Sequence, residues 1–232
     1  MNDNTADGQA LTEIQMAAAA APAPTVVVAP TLNDAAQQAC EDTVRILAEA
    51  VANRGVAHLA LTGGSGGVAL ADSLAPLIVA QPEQLRHAIH LWFGDERFVP
   101  AGDPERNDLL ASPLIAAGVP ESQVHRLAAP QDVSGLDEAT ARMVHELEAA
   151  GLAPAVAVRS SPKPPAQRYS LTFETLQRAG RIMVVAGGEG KAEAVRRGLG
   201  APDVVRAPAS CCRGRETTWY LDEPASAGHS AV

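Results

Sequence analysis

Short apolar, β-branched runs alternate with helical patterns along most of this 232-residue chain. Thr25–Ala29, His58–Thr62 and Ala88–Phe93 have the length and composition of buried strands, and the segments between them repeat apolar residues at helical spacing. Strands that alternate with helices of this length predict an α/β domain with a mostly parallel, doubly wound sheet. Such sheets carry their ligands at the carboxyl ends of the strands.

The second half of the chain continues this alternation. Its predicted helices are Ser134–Ala150, Leu171–Ala179 and Lys191–Leu199, and its predicted strands are Ala155–Val158, Arg181–Ala186 and Thr217–Leu221. Residues 1–24 are polar and then rich in Ala and Pro, which predicts a flexible extension, although Leu11–Ala21 could form a short helix. We therefore expect a single domain over residues 25–222 and a flexible tail over 223–232.

The composition excludes several classes of protein. Apolar residues make up 47% and charged residues 19%, and no apolar run approaches the roughly 18 residues of a membrane span. The net charge of −9 makes the chain a poor general ligand for nucleic acid or anionic membranes. It remains compatible with an anionic small molecule, provided that Arg, Lys and backbone N–H groups cluster locally.

Three cysteines, Cys40, Cys211 and Cys212, are too few and too oddly spaced for a disulfide framework or a structural zinc site. This usage favours a reducing compartment. The first basic residue is Arg45, so the sequence predicts neither a secretory signal nor a mitochondrial transit peptide. We expect a cytoplasmic protein.

Five residues, Gly63-Gly-Ser-Gly-Gly67, follow the second predicted strand and open a helix. One interpretation is a tight turn with no ligand. A second is an anion cradle, because glycines let the backbone approach a phosphate that free N–H groups attract. A third is a serine nucleophile at Ser65, which would need an acid and one of the downstream histidines, His125, His145 or His229.

Three charged residues, Asp95-Glu-Arg97, follow the third predicted strand directly. Asp95 and Glu96 could orient the hydroxyls of a polyol, and the fork of Arg97 suits a phosphate. The alternative is a local salt-bridged turn.

Further along, Lys191 opens a helix after Gly187-Gly-Glu-Gly190. A helix start favours anions rather than cations, so a bound anion there is one interpretation and an ordinary surface lysine is the other.

Together these segments resemble the 6-phosphogluconolactonase family. The resemblance occurs in family order in His58–Gly67 (HLALTGGSGG), Trp92–Asn107 (WFGDERFVPAGDPERN), Ser161–Leu171 (SPKPPAQRYSL), Val184–Val195 (VVAGGEGKAEAV) and Arg213–Leu221 (RGRETTWYL). It implies a fold like that of glucosamine-6-phosphate isomerase. It also implies hydrolysis of 6-phosphogluconolactone to 6-phosphogluconate in the pentose phosphate pathway, without metal or other cofactor.

The resemblance also assigns site residues. Gly63, Gly64 and Ser65 would line the sugar phosphate, Asp95 and Arg97 would face the substrate, and Arg168 and Lys191 would hold the phosphate. The implied partner is therefore a small sugar phosphate, and neither nucleic acid nor a membrane. We expect a monomer or a small homo-oligomer.

One family segment has no match in this sequence. The family carries a strand and a G-x-G-x-D-G-H loop before the SPKPP segment, whereas here Gly151–Pro154 leads directly into Ala155–Ser160. The expected general-base histidine is therefore missing and the catalytic residue is unknown, as if one strand-loop-helix unit had been deleted. Replacement by His125 or His145, a non-catalytic sugar-phosphate-binding protein, and an isomerase or deaminase of amino-sugar phosphates are the alternatives left open.

Overall fold

The structure, a computed structural model, describes residues 3–152 and 155–227. The helices are α1 (Asp3–Ala20), α2 (Leu32–Arg54), α3 (Gly64–Val79), α4 (Glu83–Arg86), α5 (Ser112–Ala116), α6 (Leu136–Ala149), α7 (Phe173–Gln177), α8 (Ala192–Leu199) and α9 (Glu223–Ser226). The strands are β1 (Thr25–Ala29), β2 (Ala57–Leu61), β3 (Ile89–Phe93), β4 (Asp95–Arg97), β5 (Ala155–Val158), β6 (Arg168–Leu171), β7 (Arg181–Ala186) and β8 (Glu216–Asp222).

The chain forms two compact units, one from residues 1–35 and 173–232 and the other from residues 36–172. The single domain expected over 25–222 therefore stays a prediction. In the first unit β1, β8 and β7 form a parallel sheet in that order. Its apolar core joins Trp219 and Leu221 of β8 to Val195 of α8. Gly198 lets helix α8 approach β8 closely, since a Cβ at this position would lie only 2.4 Å from the Trp219 ring.

The second unit contains two sheets. β2 and β3 are parallel, and one face of this pair packs through Leu61, Ile89 and Leu91 against Leu74 of α3 and Leu114 of α5. β4, β6 and β5 form an antiparallel sheet in that order. The α/β class and the parallel strands that the sequence predicts are confirmed, and the antiparallel sheet is an addition to them.

The N-terminal segment differs from the expected flexible extension. Helix α1 packs within the first unit, where Ala18 is fully buried beside Val204 and Cys211. Gln177 of α7 fixes it further by donating from Nε2 to the carbonyl of Ile14 at 3.0 Å. At the other end α9 begins the predicted tail, and residues 228–232 lie outside the described residues.

Within the ranges that the structure describes, no helix combines the length and the apolar character that a membrane crossing requires.

Candidate active site

Two neighbouring strands place the predicted charged residues on one face of the antiparallel sheet. Residues two apart on a strand share a face, so Asp95 and Arg97 of β4 point the same way. Arg97 pairs in register with Arg168 of β6, and Asp95 pairs with Ser170. These four side chains form what we call the β4–β6 face. The sequence predicted three of them, Asp95, Arg97 and Arg168, as site residues.

The β4–β6 face sets two guanidinium groups directly opposite each other. Like charges in that arrangement repel, so an anion between them is favourable. Asp95 supplies part of this negative charge, since Arg168 Nη1 lies 3.1 Å from Asp95 Oδ2. Arg168 also donates to the carbonyls of Lys163 and Pro164 in the SPKPP segment, at 3.2 and 3.1 Å. Asp95 therefore pairs with Arg168, while Arg97 on the same face has no carboxylate partner among the described residues.

Arg97 is oriented by neutral acceptors. Its Nη1 donates to the carbonyl of Glu105 at 2.5 Å and to Asn107 Oδ1 at 2.8 Å. Its Nε is buried and has no hydrogen-bond partner among the described residues. Since the guanidinium carries a full charge and the acceptors on it are neutral, Arg97 keeps its capacity for an anionic ligand.

Asn107 connects this face to the glycine loop, and sequence reasoning did not single it out. Its Nδ2 donates to the carbonyl of Asp95 at 2.8 Å and to Asp95 Oδ1 at 3.0 Å, while its Oδ1 accepts from Arg97. A Cβ on Gly63 would lie 2.1 Å from the same Oδ1. A side chain at this position would displace the Asn107 amide from its hydrogen bonds, so the loop packs directly against the bonds that fix Asp95 and Arg97.

The glycine loop ends in an uncapped helix start. Helix α3 begins at Gly64, and Gly63 before it provides no side-chain cap. The first N–H groups of a helix lack intrahelical partners and attract anions. The Ser65 hydroxyl makes no hydrogen bond with any other residue that the structure describes, so the serine-nucleophile interpretation finds no base there. The geometry favours the anion cradle.

Glu96 does not face a ligand, and its predicted role in orienting hydroxyls is wrong. Its side chain is fully buried on the opposite face of the strand. Its carboxylate accepts the backbone N–H groups of Arg97, Asn107 and Asp108 at 2.7, 2.8 and 2.8 Å. Burial raises the pKa of Glu96, and the N–H groups of Asn107 and Arg97 together with the charge of Arg106 act against that rise. Glu96 therefore holds the loop that positions Asn107 and Arg97.

Lys191 belongs to the first unit, whereas the other predicted site residues belong to the second. It is exposed and ends the short helical turn Glu189–Lys191 before α8. The preceding glycine loop is anchored to β8, because Gly188 N donates to both carboxylate oxygens of Asp222 at 3.0 and 2.8 Å. A place for Lys191 beside Arg97 stays a prediction.

Of the two histidines considered as replacement bases, His125 is held by other side chains and His145 is exposed on a helix surface. His125 lies 2.8 Å through Nδ1 from Glu146 and 3.0 Å through Nε2 from His90 Nδ1, and its ring stacks on Trp92. His90 lies about 10 Å before the carboxyl end of β3. His145 is exposed on α6, and His229 lies outside the described residues. The geometry supports neither His125 nor His145 as the base.

Residues 150–154 alone separate α6 from β5, where the family histidine loop was expected. β5 pairs with β6 in the antiparallel sheet. The histidine itself has no counterpart in the sequence at this point. The catalytic base therefore stays unassigned.

Comparison with known proteins places the chain in a family. The sequence model described as Glucosamine-6-phosphate isomerases/6-phosphogluconolactonase matches residues 30–155 and 149–220. The chain is 34% identical to the 6-phosphogluconolactonase of Mycobacterium tuberculosis, over 79% of this chain and 90% of the relative. It is 33% identical to that of Streptomyces coelicolor, over 82% of this chain and 89% of the relative.

Solved structures agree on the fold. The 6-phosphogluconolactonase from Trypanosoma cruzi superimposes with a TM-score of 0.77 at 18% identity, over 90% of this chain and 97% of that one. A monomeric glucosamine-6-phosphate deaminase gives a TM-score of 0.67 at 18% identity, over 87% and 98%. The family match and the mycobacterial relatives go further than fold: the chain belongs to the family of glucosamine-6-phosphate isomerases and 6-phosphogluconolactonases.

Proposed function

We propose that this chain is a 6-phosphogluconolactonase that hydrolyses 6-phospho-D-glucono-1,5-lactone to 6-phosphogluconate in the pentose phosphate pathway, at a reduced rate. One observation carries the substrate assignment. Arg97 and Arg168 lie opposite each other, with the Asp95 carboxylate paired to Arg168, and Gly63 at the start of helix α3 packs against Asn107, which binds Arg97. The homologous lactonases of mycobacteria and Streptomyces support the reaction.

In this proposal the phosphate dianion sits between Arg97, Arg168 and the N–H groups of Gly64 and Ser65, with Lys191 as a further cation. Asp95 accepts hydrogen bonds from ring hydroxyls. Binding energy from the phosphate then fixes the lactone ring in one orientation, which lowers the entropic cost of reaction. A local basic site of this kind reconciles a substrate anion with a chain of net charge −9.

The reaction is the addition of water to the lactone carbonyl. The carbonyl carbon gains a bond to the water oxygen, the bond to the ring oxygen breaks, and that oxygen takes up a proton as the carboxylate forms. A general base that removes the water proton contributes about 10²–10⁴-fold to such steps. The family histidine for this role has no counterpart here, and the family match divides into two segments at residues 149–155, which supports a loss at that point.

We also propose a cytoplasmic location, where the substrate would be formed, and a monomer or small homo-oligomer as the working form.

Binding of the product tests the phosphate site. Titration calorimetry with 6-phosphogluconate is expected to show saturable binding that Arg97→Ala weakens by about 1.5 kcal/mol, or roughly tenfold, because a charged hydrogen bond is lost. Arg142→Ala is the matched control, since Arg142 is an exposed arginine of the same unit that pairs with Glu138 on α6. Equal weakening by both variants would show that general charge, rather than the β4–β6 face, attracts the ligand.

Turnover is a separate measurement. The rate of lactone hydrolysis, corrected for the spontaneous reaction, is expected to be about 10²–10⁴-fold below that of a relative carrying the histidine loop, assayed alongside. Arg97→Ala should lower the remaining rate further because the substrate is held less firmly. A full family-like rate would show that another group in this chain acts as the base. No rate above the spontaneous one would leave only sugar-phosphate binding.

A further inference from the structure

A cavity of about 580 Å³ opens in the first unit, at the carboxyl end of α8. Its wall includes three arginines, Arg196, Arg197 and Arg206, together with Asp203 and Gly200. Its volume falls in the range of small-molecule sites. Because α8 is eight residues long, the cavity lies about 12 Å along the helix from Lys191.

The arginines of this cavity retain free donors. Arg196 uses Nε and Nη2 to bind both oxygens of Glu193, at 2.8 and 2.7 Å. Arg197 uses only Nε for the same carboxylate, at 2.6 Å, so both of its terminal nitrogens remain. The guanidinium of Arg206 has no ion pair within the part of the chain that the structure describes. One glutamate thus occupies the Nε–Nη2 fork of Arg196 but leaves the terminal nitrogens of Arg197 available.

The acidic residue of the wall is occupied elsewhere. Asp203 Oδ1 accepts the backbone N–H groups of Val205 and Arg206 at 3.1 and 2.9 Å, which closes the turn on which Arg206 stands. Its own N–H donates to Ser210 Oγ at 2.8 Å. Asp203 therefore shapes the loop, and in the described structure its carboxylate forms no salt bridge to any of the three arginines.

A fourth arginine lies behind the wall and carries an unmatched charge. Arg213 is 8% exposed, and its Nη2 donates to the carbonyl of Gly200 at 2.6 Å. Its Nε is buried without a hydrogen-bond partner, and among the described residues no carboxylate forms an ion pair with it. A buried cation without a counter-ion is costly, and an anion in the adjoining cavity would reduce that cost.

We infer that this cavity binds a small anion carrying two linked phosphate groups. Planar guanidinium forks match phosphate oxygens in geometry and charge. Arg197 and Arg206 can each contact one of two linked phosphate groups, and Arg196 Nη1 is a further donor. The cavity volume admits a small ligand, and the net charge of −9 disfavours a nucleic-acid chain.

Titration calorimetry with inorganic pyrophosphate at low salt tests the inference, with 6-phosphogluconate at saturation to block the β4–β6 face. Wild-type protein is expected to bind one pyrophosphate with a dissociation constant below about 1 mM. The double variant Arg197→Gln/Arg206→Gln should weaken binding at least tenfold. Arg178→Gln is the control, because Arg178 is an exposed arginine of the same unit paired with Glu174. Thermal melting of each variant establishes that it is folded.

The same titration in the Arg97→Ala background separates this inference from the proposed function. If the cavity is the site, pyrophosphate binds Arg97→Ala as tightly as wild type, whether or not 6-phosphogluconate binds at all. Absence of saturable binding, or binding that the double variant leaves unchanged, would overturn the inference.

Discussion

Replacing Glu96 with alanine is expected to lower the free energy of unfolding by about 3–5 kcal/mol. The substitution removes a fully buried carboxylate that accepts three backbone N–H groups, from Arg97, Asn107 and Asp108. Each buried donor left unsatisfied costs about 1–3 kcal/mol, and water entering the space recovers part of that cost. Urea unfolding followed by far-ultraviolet circular dichroism measures the difference.

Two further variants make this test specific. Glu105→Ala removes an exposed glutamate from the same loop and should change the unfolding free energy by less than about 0.5 kcal/mol. Glu96→Gln keeps the shape but turns an amide NH₂ toward a backbone donor, so it should fall between wild type and alanine. Because Glu96 positions Asn107, which binds Arg97, folded Glu96→Gln should also bind 6-phosphogluconate more weakly. A loss below about 1 kcal/mol in Glu96→Ala would show that these bonds contribute little to stability.

The parallel strands were predictable because their sequences are rich in apolar and β-branched residues. β1, β2, β3, β7 and β8 lie within a residue or so of the predicted bounds. The sequence does not predict β4, because three consecutive charges are unusual in a strand. It forms because β6 supplies backbone partners and because buried Glu96 finds N–H donors on the following loop, and neither condition is visible in a local window.

β6 was missed for a related reason. The prolines before β6 indicate an irregular chain. The helix predicted from Leu171 starts only at Phe173, and Leu171 is the last residue of β6. Helix α1 shows the same limit, since its alanines gave no strong amphipathic pattern. Its packing depends on Val204 and Cys211, which lie far along the sequence.

The structure brings together several of the predicted site residues, and their role in binding stays a prediction. Gly63, Asp95, Arg97 and Arg168 do converge, through Asn107 and the register of β4 with β6. Asn107 itself carried only a weak signal, as the last residue of a polar segment. Strand alternation would have separated Glu96 from Asp95 and Arg97 if β4 had been recognised, because consecutive residues of a strand point to opposite faces.

A second large effect is expected from acid, through three histidines on the other face of the β2–β3 pair. The ring centroids of His58 and His90 are 5.2 Å apart, and those of His90 and His125 are 5.3 Å apart. Trp92 Nε1 donates to His58 Nδ1 at 3.1 Å, which requires that nitrogen to be unprotonated. His125 Nδ1 donates to Glu146, so its Nε2 is free to accept from His90 Nδ1. The hydrogen bonds are thus complete with neutral rings.

Burial, followed by the charges of His90, His125 and Arg54, lowers the pKa of His58 to about 4. Burial and His125 lower the pKa of His90 as well. Unfolded histidine titrates near 6.5, so below that pH the unfolded chain takes up protons that folded His58 does not take up until about pH 4. The free energy of unfolding therefore falls as the pH drops from about 6.5 to about 4.

We expect His58 to account for about 2 kcal/mol of this loss, a value reduced from the full shift because the ring is only half-buried. Urea unfolding at several pH values between these limits should show a shallower pH dependence in His58→Gln, whose amide oxygen can still accept from Trp92. His145→Gln is the matched control, since His145 is exposed on α6, and it should keep the wild-type slope. If His58→Gln and wild type lose stability in parallel, the acid sensitivity arises elsewhere, and the packed imidazoles are tolerated in their charged form.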